Sequence, residues 1–229
     1  MRINYRRFAE AGVFVAVLAT AAIVFAPHSH AVSLPDPKAD MPLAADHGSA
    51  TTVFAGGCFW GMQGVFQHVK GVTRVTAGYA GGSADTAEYE TVSTGTTGHA
   101  ESVQITWDPA QISFGQLLKV YFGVAHDPTQ LNHQDPDEGT QYRSEIFFTQ
   151  PEQQKVAADY VAQLDAAKAF PQPIVTQIAP LKGFYAAEGY HQDYLQHHPN
   201  QPYIAMYDMP KIAALKHELP GLYVDAVTN

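Results

Sequence analysis

The chain has 229 residues, 46% of them hydrophobic and 15% charged, with a formal net charge of −9 at neutral pH. That composition excludes a disordered chain, and an acidic balance without a basic stripe excludes a protein built to hold a nucleic-acid backbone. The only cysteine is Cys58, so no intramolecular disulfide can form and a disulfide-stapled scaffold is excluded too.

The N-terminus reads as a targeting segment. Arg2, Arg6 and Arg7 precede an unbroken small and apolar run from Ala11 to Ala26, and Ser29-His30-Ala31 puts small residues where a signal peptidase cuts. The run is shorter than the roughly 20 residues of a membrane span. Residues 1–31 are therefore expected to be a secretory signal cleaved after Ala31, which makes the protein exported and periplasmic; an uncleaved N-terminal membrane anchor is the competing reading. Arg6-Arg7 lacks the context of a twin-arginine signal. Without Arg2, Arg6, Arg7 and Glu10 the net charge is −11. Residues 32–50, with Pro35, Pro37 and Pro42, read as a flexible linker, and residues 51–229 as one domain with no internal repeat and no second core.

Thr51–Ala55 is a short buried strand, and Phe59–His68 has apolar residues at helical spacing (Val65, Phe66, Val69) before Gly71 stops it. Val72–Tyr79 alternates as a strand, Gly78–Asp85 is a loop, and Thr86–Gly98 has the poor periodicity of an ordered loop. Glu101–Trp107 alternates again. Ser113 is placed to N-cap a helix carrying Leu117, Leu118, Tyr121 and Val124. The polar stretch Thr129–Thr140 is a long loop, Gln141–Thr149 a strand, and Pro151–Ala169 an amphipathic helix. A fifth strand over Pro173–Ala179, a helix over Ala186–His197 and a tail with one helix over Lys211–Glu218 complete the pattern. The leading order β-α-β-β-α-β predicts an α+β fold, a ferredoxin-like βαββαβ sandwich elaborated by long loops and a C-terminal extension.

Chemistry concentrates at Gly56-Gly57-Cys58-Phe59-Trp60-Gly61. Glycines let backbone approach a ligand, and a thiol at a strand-to-helix turn lies where helix N–H groups favour a thiolate. A free cysteine is more often a small buried hydrophobe. Two adjacent aromatics cannot both face one core, however, which leaves Phe59 or Trp60 for a site. Glu101, at the start of a strand, is either a solvated strand end or, folded into apolar surroundings, an acid able to donate a proton at neutral pH. In the run Asp137–Ser144, Tyr142 offers a hydroxyl and Arg143 a partner for a carboxylate. His191, His197 and His198 have no accompanying ligand motif; they read as surface or packing residues and no metal is expected. Gly78–Gly82 lacks the spacing of a dinucleotide fingerprint.

Together these stretches resemble the A-type peptide methionine sulfoxide reductases. Gly56–Gly61 is similar to that family's signature, and Gly78–Gly82, Gly98–Glu101, Asp127–Thr129, Asp137–Ser144 and Tyr190–Gln192 resemble its other motifs in the right order, over about residues 51–204. The resemblance implies that Cys58 is the nucleophile toward a methionine S-sulfoxide, that Glu101 is the acid, and that Tyr89 and Tyr142 hydrogen-bond the sulfoxide oxygen. It further implies that Phe59 and Trp60 wall the methyl group and that Asp137 orients the substrate. Cys58 then becomes a sulfenic acid. Many members carry a resolving cysteine in the C-terminal tail; here there is none, so recycling is expected from an external thiol such as thioredoxin, glutaredoxin or glutathione. No bound cofactor is expected. Oxidised proteins and peptides, and the thiol reductant, are the expected partners of a monomer. Two other readings stay open: an acyl-transferring cysteine hydrolase using His99 or His191, and a non-catalytic module that binds oxidised or methionine-rich proteins.

Overall fold

A computed structural model describes residues 31–227. The expected signal segment therefore lies, apart from Ala31, outside the described residues. Among them no helix is long and apolar enough to cross a membrane.

The elements, in chain order, are β1 (Ala50–Ala55), α1 (Phe59–Gln67), β2 (Val72–Ala80), α2 (Tyr89–Val92), β3 (Ala100–Trp107), α3 (Phe114–Val120), β4 (His133–Gln134), β5 (Asp137–Glu138), β6 (Glu145–Phe148), α4 (Pro151–Ala166), β7 (Gln177–Pro180), β8 (Phe184–Ala186), α5 (Tyr194–His197) and α6 (Met209–Glu218). Six strands form one sheet in the order β7-β6-β1-β3-β2-β8, and β4 pairs with β5 in a separate hairpin. β3 is antiparallel to both β1 and β2, and β6 is antiparallel to β1. The crossover from β1 through α1 to β2 thus skips over β3, and the one from β3 through α3 to β6 skips over β1, which is the interleaving of a split βαβ pair. Only β7 is parallel to its neighbour β6.

Helices cover one face because that face carries the apolar residues of alternate strand positions. Phe54, Val75, Val103, Ile105 and Ile146 join Met62, Val65 and Phe66 of α1 and Leu117 and Leu118 of α3 in the principal core, all fully buried. Ser113 is the N-cap expected of it, and the structure adds a reciprocal bond with Gln116 that completes a capping box. The helix continues through a π-helical turn at Tyr121–Ala125.

Several segments differ from expectation. The polar stretch at 129–140, read as a loop, holds the β4–β5 hairpin, and the strand expected over Pro173–Ala179 runs instead over Gln177–Pro180, where it pairs with β6. The loop at 86–98 holds the one-turn helix α2. The strand expected over Gln141–Thr149 is shortened to β6, because Thr140–Tyr142 turn as a 3-10 helix behind Gly139, at φ 127°. The helix expected over Ala186–His197 is instead β8, a 3-10 turn and the four-residue α5, with Asp193 left-handed at φ 55° between them. The stretch read as a flexible linker is a strap fastened along its length. Leu34 is buried, Tyr160 donates to the Pro35 carbonyl at 2.8 Å, and the Gly115 N–H donates to Asp40 at 2.7 Å. Its prolines and lack of periodicity exclude regular structure without excluding side-chain anchors.

Candidate active site

The site forms where β1 ends. Ala55 pairs with Ser102 on one side and Glu145 on the other, so the turn through Gly56 and Gly57 passes beside Glu101. This turn has no room for side chains. A Cβ at Gly56 would stand 2.8 Å from the His126 ring, and one at Gly57, which has φ +87°, would stand 2.5 Å from Gln134. His126 is buried and its nitrogens bond the Tyr121 carbonyl and the Ser144 hydroxyl; burial lowers its pKa to about 3, so it stays neutral. Tyr121 donates to the Ala55 carbonyl at 2.7 Å and fixes the strand end from below.

Cys58 is the N-cap residue of α1 and is partly accessible. The first N–H of the helix, from Phe59, donates to Glu101 Oε2 at 3.0 Å. Burial raises the Glu101 carboxyl to about 8; the Phe59 N–H opposes the shift, and the nearby Asp137 and Asp208 carboxylates reinforce it. Glu101 is therefore protonated at neutrality. Cys58 corrects an expectation. The helix terminus was to favour a thiolate, yet its thiol is raised well above the usual value by burial, then by Glu101, Asp208 and Asp137, against one backbone hydrogen bond from Trp60. Surrounding carboxyls and desolvation outweigh the helix terminus, and the resting site holds two protons.

Aromatic side chains form the wall. Phe59 is buried and faces Tyr79 and His191, with ring centroids at 5.9 and 5.0 Å. Trp60 turns the other way, stacks on Tyr194 at 3.9 Å and meets the edge of Tyr203 at 6.3 Å. Its indole N–H donates to His191 Nδ1 at 3.1 Å. Tyr89 packs on His191 at 4.4 Å, and the half-buried Tyr89 and Tyr142 hydroxyls both lie within electrostatic reach of Cys58 and Glu101. Glu188 anchors this side, accepting from the Tyr79 hydroxyl at 2.8 Å and the Tyr89 N–H at 2.9 Å. Asp137, on the β4–β5 hairpin, accepts a hydrogen bond from Tyr203. Arg143 bonds Glu145 at 2.7 Å and the Gly98 carbonyl at 2.9 Å, which ties the Tyr142 loop to the start of β3.

All seven residues singled out from the sequence (Cys58, Phe59, Trp60, Tyr89, Glu101, Asp137 and Tyr142) are thus brought together. Tyr194, Tyr203 and Asp208 were not anticipated, and His191 was given no place in the reductase site. His191 lies in the motif Tyr190–Gln192; the other three lie in none. His191 is buried against the wall, whereas His197 and His198 are exposed. Among the described residues one group could hold a metal ion, His133, Asp135 and Glu138, whose ligand atoms lie within 4.8 Å of one another on the surface hairpin.

A cysteine hydrolase needs a histidine on the sulfur. His191 Nδ1 is taken by Trp60 and its Nε2 has no partner, while the His99 nitrogens bond the Gly82 N–H and the Ser83 carbonyl. Among the described residues neither histidine is hydrogen-bonded to Cys58, as such a hydrolase would require.

Comparison with known proteins agrees with this chemistry. The family model described as peptide methionine sulfoxide reductase matches residues 50–220. A peptide methionine sulfoxide reductase of Mesorhizobium japonicum is 61% identical over 176 residues, 77% of this chain and 90% of that protein. One of Synechocystis is 46% identical over 203 residues, 88% of this chain and 94% of its own. The crystal structure of reduced Mxr1 from Saccharomyces cerevisiae superposes with a TM-score of 0.62 at 30% identity, covering 74% of this chain and 96% of that one. By the match of the family model over most of its length and by these relatives, this chain belongs to the peptide methionine sulfoxide reductase family and is an oxidoreductase.

Proposed function

We propose that the chain reduces the S epimer of methionine sulfoxide, free and in proteins, through a sulfenic acid on Cys58 recycled by external thiols. The carrying observation is the juxtaposition of Cys58 with a buried, protonated Glu101 at the first N–H of α1. The Cys58 sulfur attacks the sulfoxide sulfur. The sulfoxide oxygen, hydrogen-bonded by Tyr89 and Tyr142, takes a proton from Glu101, and the methyl group rests against Phe59 and Trp60 while Asp137 orients the rest. In balance, a thiol and a sulfoxide become a sulfenic acid and a thioether. One external thiol then displaces hydroxide from Cys58 as water, giving a mixed disulfide, and a second releases Cys58 as thiol with a disulfide as product.

The absence of any second cysteine in the sequence supports the external step; thioredoxin, glutaredoxin and glutathione are the candidate classes. Export to the periplasm, through a signal cleaved after Ala31 or with an uncleaved anchor, would place this activity among oxidised envelope proteins. Incubation with each epimer and dithiothreitol tests the reading. Consumption of the S epimer alone is expected, with activity abolished in Cys58→Ser and a dimedone adduct on Cys58 after one equivalent of substrate. Failure to consume the S epimer would sink it.

A further inference from the structure

Glu188 takes no part in the reaction above, yet it bonds three residues of the aromatic wall. It follows β8 and is half-buried. Its Oε2 accepts from the Tyr79 hydroxyl at 2.8 Å and its Oε1 from the Tyr89 N–H at 2.9 Å, while its main-chain carbonyl accepts from the His191 N–H at 2.9 Å. Burial works to raise its pKa, but the N–H groups of Tyr89 and of Glu188 itself and the Tyr79 hydroxyl together bring it below the usual glutamate value. It is thus a carboxylate with an acceptor on each side. Both donors lead to reacting groups. Tyr79 is fully buried on β2, directly across from Glu101 on β3, and its ring faces Phe59 at 5.9 Å. Tyr89 opens α2 and packs its ring on His191 at 4.4 Å. A helix of one turn does not hold itself, and α2 has no side-chain cap of its own. Glu188 supplies the acceptor for its first N–H from 99 residues away. The pairing of β8 with β2 through Tyr79↔Tyr185 is what brings it there.

We propose that Glu188 is a positioning residue for sulfoxide reduction: its carboxylate clamps Tyr79 and Tyr89 to each other and so holds the Tyr89 hydroxyl in place against the wall that Phe59 forms. This deepens the reading of the site given above and rests on it. The sulfoxide oxygen gains negative charge as the sulfur is attacked. A hydroxyl donor fixed beforehand therefore favours the transition state over the bound substrate, and it costs no reorganisation at the moment of reaction. Without the clamp, Tyr89 has to be ordered anew in each turnover. Glu188 touches no reacting atom in this role; it acts through Tyr89, with Tyr79 as the fixed post on the sheet.

The test measures kcat and KM for the S epimer in the full wild-type chain, in Glu188→Ala, Glu188→Gln and Tyr89→Phe, and in the double variant Glu188→Ala with Tyr89→Phe. Thermal unfolding is recorded for each. Glu188→Ala should lower kcat about tenfold and change KM less than about twofold, because the affected bond strengthens in the transition state. In the Tyr89→Phe background the same substitution should cost less than about twofold, since the hydroxyl it positions is gone. Glu188→Gln should recover most of the loss: its amide oxygen can accept from the Tyr89 N–H while its amide nitrogen donates to the Tyr79 hydroxyl oxygen. Equal losses in the two backgrounds, or a wild-type kcat in folded Glu188→Ala, overturn the proposal. So does rapid exchange of the Tyr89 amide in the wild-type protein by NMR, where the bond to Glu188 predicts protection, a result that needs no folded variant. A wild-type chain that leaves the S epimer unreduced, yet has a protected Tyr89 amide that Glu188→Ala releases, would discard the reductase reading and keep the clamp.

Discussion

At the N-terminus of α1 the backbone offers N–H groups to negative charge, and Glu101 takes the first of them at 3.0 Å. That bond favours the carboxylate, but burial among Phe59, Tyr79 and the neighbouring acids favours the neutral acid and prevails, leaving the group at about 8. The reductase rate should consequently hold through neutrality and fall as pH rises through about 8. Glu101→Gln, which keeps a hydrogen-bond donor without a transferable proton, should retain part of the rate and lose that alkaline limb; Glu101→Ala should lose most of the rate, on the order of a hundredfold. Rate profiles of the three proteins against pH decide it, and a limb near 8 that persists in Glu101→Gln would assign the titration to another group. The sequence singles out Cys58 and Glu101, and the fold sets them beside each other at the start of α1. The sequence misjudged the thiol's ionisation because the helix terminus is local, whereas the burial that opposes it, and after it the carboxyls at positions 101, 208 and 137, come only with the fold.

Elements were legible where apolar periodicity meets a start or stop signal, as with Gly71 after α1, Ser113 before α3 and Pro151 at the start of α4, and illegible where a short segment takes its shape from what it packs against. β8 is such a segment: three residues at the sheet edge, paired with β2 through Gly78↔Ala186 and Tyr79↔Tyr185. A Cβ on Gly78 would meet the Tyr185 carbonyl at 2.3 Å, a backbone contact that cannot yield as a flexible side chain would. Gly78→Ala should therefore cost about 1–3 kcal/mol. Because the chain leaving β8 carries Glu188 to the Tyr89 N–H, it should also lower reductase activity. Urea unfolding with an assay of the same sample tests both, and unchanged stability would show that β8 can shift at no cost. The strap offers a contrasting case. Asp40 accepts from the Gly115 N–H and the Ser113 hydroxyl at the start of α3, so Asp40→Ala should cost about 1 kcal/mol, as loss of a helix-cap acceptor does, and leave the distant site active.

For the molecule as a whole, the site's acidity becomes a stability term. Glu101 has an ordinary value of 4.5 and a folded value of about 8, so between those limits the folded state binds more protons than the unfolded one. Stability then falls with rising pH. The contribution is fully present below about 4.5, declines across the window and is gone above about 8. The raised carboxyls of Asp137 and Asp208 act in the same direction. Glu188 acts in the opposite one, because hydrogen bonds from the Tyr89 N–H and the Tyr79 hydroxyl outweigh its burial and lower it. With Glu101 the larger effect, on the order of 4 kcal/mol for a fully buried group, the wild-type protein should be markedly easier to unfold at about pH 9 than at about pH 5. Glu101→Gln carries no charge at either pH and should flatten most of that slope, becoming the more stable of the two proteins at the alkaline end. Denaturant titrations of both proteins at the two pH values measure the difference directly. Parallel slopes would mean that the Glu101 carboxyl ionises in the fold as easily as in water.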